Sequence, residues 1–121
     1  MVEWNIADGT LHLHLRGADR LWALRSSLEI PLAHIAGVCA DPPIAHGFRH
    51  GLKELGTSVP GLITAGLFRQ DGKQVFWDVH RAERTIGIAL HDERLDELVV
   101  EVEDPTAAVA AIQSALAAHR R

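Results

Sequence analysis

The stretch Val2-Glu3-Trp4-Asn5-Ile6-Ala7-Asp8-Gly9-Thr10-Leu11-His12-Leu13-His14-Leu15 alternates apolar and polar residues on both sides of Asp8-Gly9. Period-two alternation puts Val2, Trp4 and Ile6 on one face of a strand and Leu11, Leu13 and Leu15 on one face of the next. Asp8-Gly9 between them is a two-residue hairpin turn, because both central residues of a type I′ turn need positive φ, which Gly and Asp tolerate best. The chain therefore opens as a β-hairpin with one apolar face, and that face has to be covered.

Similar short runs follow. Ser27 to Ile30 and Ile35 to Ala40 read as strands separated by a bend at Pro31, and Asp41-Pro42-Pro43 stops the second. Leu62 to Phe68, Gln74 to His80, Thr85 to His91 and Leu98 to Glu103 are four further strands, with the spacing of a meander. Gly17-Ala18-Asp19 offers a start for a short helix through Leu24. Between Pro42 and Gly61, four glycines and three prolines with no sustained period predict a long loop. At the other end, Asp104 as N-cap, Pro105 at the first helical position, and Val109, Ile112 and Leu116 on one face predict an amphipathic helix over about 105–119. Eight strands and one terminal helix predict a mostly β fold, a β-barrel or roll with one C-terminal α-helix covering its open end.

Composition narrows the function. The 121 residues suit a single domain, with 47 % hydrophobic and 23 % charged residues. A net charge of −4, with two lysines and ten dispersed arginines, argues against nucleic acid and against anionic membrane surfaces. No apolar stretch reaches the ~20 residues of a spanning helix, so membrane insertion is not expected. The first residues lack the pattern of a signal peptide, and Cys39 is the lone cysteine, which together lead us to expect a reducing, cytoplasmic setting. Within Ile35 to Ala40, Cys39 itself reads as a small buried hydrophobe.

The segments Ile30-Pro31-Leu32-Ala33-His34-Ile35, Gly56-Thr57-Ser58-Val59-Pro60-Gly61, Phe76-Trp77-Asp78-Val79 and Val100-Glu101-Val102-Glu103-Asp104-Pro105 resemble those of small bacterial pleckstrin-homology-like proteins. The resemblance spans nearly the whole chain and implies a partly open barrel capped by the helix, in a bacterial protein. It implies no catalytic residue. Relatives in the wider superfamily that hold inositol phosphates carry basic side chains on the first hairpin. Here that turn is Ala7-Asp8-Gly9, whose acidic side chain cannot supply the charge-assisted bonds a phosphate demands, so phosphoinositide binding is not expected.

Two groups of residues stand out chemically. His46, Arg49, His50 and Lys53 concentrate positive charge within Pro43 to Val59, which makes that segment the expected binding surface for a protein or peptide. His12 and His14, two apart on one strand face, supply two of the three or more ligands a metal site needs. Asp78 and His80 share a strand face as an acid/base pair without a nucleophile, and Glu101 and Glu103 read as a solvated acidic face. The first expectation is a non-enzymatic interaction module, without cofactor, that recognises a protein, a peptide or a second copy of itself through an open sheet edge. The alternative is a small metal-dependent enzyme or metal-binding protein using His12 and His14.

Overall fold

The computed structural model describes residues 1–16, 27–42, 52–59, 63–70 and 72–119. The expected short helix after Gly17 lies outside them. The described chain is mostly β, with strands β1 (Val2–Ala7), β2 (Thr10–Leu15), β3 (Ser27–Pro31), β4 (Ile35–Ala40), β5 (Leu52–Val59), β6 (Ile63–Gln70), β7 (Lys73–Val79), β8 (Thr85–Leu90) and β9 (Glu97–Glu101), followed by helix α1 (Pro105–His119).

The hairpin forms as read. Asp8 and Gly9 have φ of 53° and 73°, and β1 pairs with β2 from Ala7 opposite Thr10 to Val2 opposite Leu15. β3 joins on the other side of β2, completing a three-stranded antiparallel sheet. The other six strands form a second sheet in the order β4-β8-β9-β7-β6-β5. Both strand orders are linear, so neither sheet closes into a barrel.

The second sheet departs from a meander. β9 lies between β7 and β8, parallel to β7 and antiparallel to β8. The slot is apolar on both sides and the strand matches it: Leu98, Val99 and Val100 are all buried, as consecutive apolar residues are in a strand covered on both faces. A second correction concerns the expected loop, which contains the eight-residue strand β5, paired along β6. The register shifts between Lys53 and Leu55, and the extra residue of that bulge erases the period-two pattern by which a strand is read.

One core joins the layers. Leu11, Leu13, Leu28 and Ile30 of the first sheet meet Phe76, Ile86, Ile88, Leu98 and Val100 of the second, and Ala108, Ile112 and Leu116 of α1 complete the cluster. Phe68, Val75, Trp77, Val79 and Val99 form a smaller buried cluster on the opposite face of the six-stranded sheet, with Phe68 edge-on to Trp77. The helix spans the expected residues, and Asp104 caps it, accepting the Ala107 N–H at 3.1 Å. Its buried stripe is Ala108-Ile112-Leu116, with Val109 only partly covered.

Candidate functional site

His12 and His14 project from the polar face of β2, as the alternation requires, since Leu11, Leu13 and Leu15 are buried. His12 stands opposite Asn5 and Glu29, its Nδ1 3.9 Å from Glu29 Oε1, and His14 stands opposite Glu3 and Ser27. Among the described residues, no group of three or more His, Cys, Asp or Glu side chains is placed to hold a metal ion. His46, Arg49 and His50 lie outside the described residues. Lys53 sits on β5, opposite Phe68 of β6, and so belongs to an edge strand rather than to a loop.

Asp78 and His80 differ in their surroundings. Asp78 is fully buried within β7, whereas His80 follows the end of that strand and is exposed. Glu101, expected on a solvated face, is 4 % exposed in the central strand. Its Oε1 accepts the His80 backbone N–H at 3.2 Å, and the Met1 amino nitrogen lies 3.7 Å from the same oxygen and 3.4 Å from Asp78 Oδ2. The amino group thus balances part of the charge these carboxylates bring into the interior. Thr85, also buried, donates from Oγ1 to the Arg81 carbonyl. The expectation of a solvated face fails at Glu101 because its burial follows from β9 lying inside the sheet.

At the opposite end of β9, Glu97 is half-buried and its carboxyl is raised from the usual value by desolvation, an effect the nearby Lys73 charge reduces. Close by, the Gln74 backbone N–H donates to Asp96 Oδ2 at 2.8 Å.

Among the described residues, β4 bonds as a strand on one side only, to β8. Its sequence, Ile35-Ala36-Gly37-Val38-Cys39-Ala40, contains no charge and no proline, whereas β1 carries Glu3, β3 carries Glu29 and Pro31, and β5 carries Lys53 and Glu54. Ala36, Cys39 and Ala40 are exposed. The exposure of Cys39 overturns the expectation of a buried thiol: its partner across the ladder is Gly87, which offers no side chain to cover the sulfur. Charges, prolines and bulges are the usual means of keeping an edge from pairing with another chain, and β4 has only an irregularity between Ile35 and Gly37.

Set against protein-family models, curated proteins and solved structures, the chain matches none. No helix among the described residues is long and apolar enough to cross a membrane.

Proposed function

We propose that this chain is a non-enzymatic binding module of pleckstrin-homology-like type whose ligand is an extended strand, taken up along the outer side of β4, and that the strand is β4 of a second copy. The observation that carries this reading is the uncharged, proline-free edge with small exposed side chains at Ala36, Cys39 and Ala40. An incoming strand gains main-chain hydrogen bonds from such an edge and meets no side chain that it must desolvate. Two identical strands running antiparallel about a two-fold axis satisfy each other's groups, and with no charge on either strand they do so without repulsion. The partly open, mostly β architecture with its C-terminal helix supports the pleckstrin-homology-like part of the reading.

Light scattering over a range of concentrations, on the native chain and on Ala36→Lys and Ala40→Lys, tests the proposal. The native chain should dimerise and the lysine variants should be monomers that melt as the native chain does once diluted to a monomer, since both positions are exposed. A native chain that stays monomeric at high concentration, or variants that dimerise as well as it does, would reject β4 as the interface.

A further inference from the structure

His34 ends the 3-10 turn Leu32–His34 that joins the two sheets, and His91 is the first residue after β8. Ile35 and Leu90 are paired across the β4/β8 ladder, and one step beyond them the His91 N–H donates to the His34 carbonyl at 2.9 Å. The two histidines therefore occupy opposed positions of an antiparallel pair, where Cβ atoms stand about 4.5 to 5.5 Å apart on one face. Their ring centroids are 6.2 Å apart.

Each ring is also held from behind. His34 Nδ1 lies 2.5 Å from Glu93 Oε2, and His91 Nδ1 lies 3.0 Å from Asp92 Oδ2. In the tautomer whose Nδ1 donates to a carboxylate, Nε2 carries a free lone pair, and this is the arrangement in which metal-binding imidazoles are regularly found. His34 is half-buried and His91 exposed, so solvent reaches the pair.

We infer that His34 and His91 form a two-imidazole site for a divalent transition metal of the nickel, copper or zinc class. Nε2 of each ring is the donor, Glu93 and Asp92 orient the rings, and water fills the other positions. Imidazole nitrogen favours these metals over calcium or magnesium, which take oxygen. The absence of a third protein ligand among the described residues makes the site an open one, distinct from a closed structural zinc site. His12 and His14 are the natural comparison. As successive same-face residues of one strand they stand roughly 6.6 Å apart along it, and the Glu29 carboxylate beside His12 lies 3.9 Å away. The inference is independent of strand pairing at β4.

Calorimetric titration of the untagged full chain with zinc, nickel and copper chlorides is the test. One ion per chain should bind. His34→Ala and His91→Ala should each abolish this binding, Glu93→Gln should weaken it about tenfold, and the double variant His12→Ala/His14→Ala should bind as the native chain does. Because His34 also anchors the turn between the sheets, imidazole NMR of the unsubstituted protein supplies a second reading, in which the His34 and His91 rings should shift first and together. Absence of binding, retention of full affinity in either single variant, or first shifts at His12 and His14 would overturn the inference.

Discussion

Gly87 of β8 lies directly beneath Pro42: a Cβ at position 87 would stand 3.1 Å from Pro42 Cβ and 3.2 Å from Pro42 Cγ. Gly87 sits between Cys39 on β4 and Val99 on β9, and Pro42 is buried over it just beyond the end of β4. At these distances Pro42 would have to give by a few tenths of an ångström. Gly87→Val should therefore destabilise the domain by about 1 to 3 kcal/mol, the usual cost of forcing extra carbons into a packed site. A thermal melt followed by circular dichroism reads this directly, and an unchanged midpoint would mean that Pro42 moves aside freely.

Helix α1 lies against β4, the turn Leu32–His34 and β8, and Ala108, Ile112 and Leu116 carry it into the core. Ile112 is fully buried, and Ile112→Asp places an unpaired carboxylate there at a cost of several kcal/mol against a total stability of about 5 to 15 kcal/mol. The expected outcome is an unfolded or barely folded chain. A soluble variant melting at the native temperature would show that the helix does not depend on this contact.

The Asp104 cap is a milder probe of the same helix. Asp104→Ala removes the acceptor of the Ala107 N–H and should cost about 1 kcal/mol, whereas Asp104→Asn, which keeps a side-chain oxygen, should cost much less. Urea denaturation of the three proteins side by side distinguishes loss of the cap from a general effect of lost charge, because the latter would lower both variants equally.

Glu97 gives a pH signature. Burial raises its carboxyl in the folded chain above the ordinary value of 4.5, so ionising it costs the folded state more than the unfolded one. The penalty is absent below the unfolded-state pKa, accrues as pH rises from there through the folded-state pKa, and is complete above it. Glu97→Gln should accordingly raise the melting temperature at pH 7, and the gain should shrink as pH falls through the carboxylate range. A loss of stability at pH 7 would show that attraction to Lys73 outweighs desolvation, and a difference independent of pH would show that folding does not shift this carboxyl.

The parts of the molecule that could be read before folding are those made by neighbours in the chain. The β1–β2 turn follows from two residues that accept positive φ, and α1 follows from Asp104 and Pro105 setting its start and from an apolar stripe four residues in period. Alternation likewise told which way His12 and His14 point, because the face of a side chain on a strand depends only on its own backbone. Alternation says nothing about which strand lies alongside. The insertion of β9 between β7 and β8, the burial of Glu101 beside Asp78, and the opposition of His34 and His91 all depend on pairing between segments far apart in sequence. The bulge in β5 concealed even a local strand, since one extra residue breaks the period that would have revealed it. Short-range chemistry thus determined where the hairpin and the helix begin and end, while the place of β4 at the end of the six-stranded order and the two imidazoles brought together at its start were decided by long-range strand pairing, whose energetics come from burial of whole faces rather than from any residue alone.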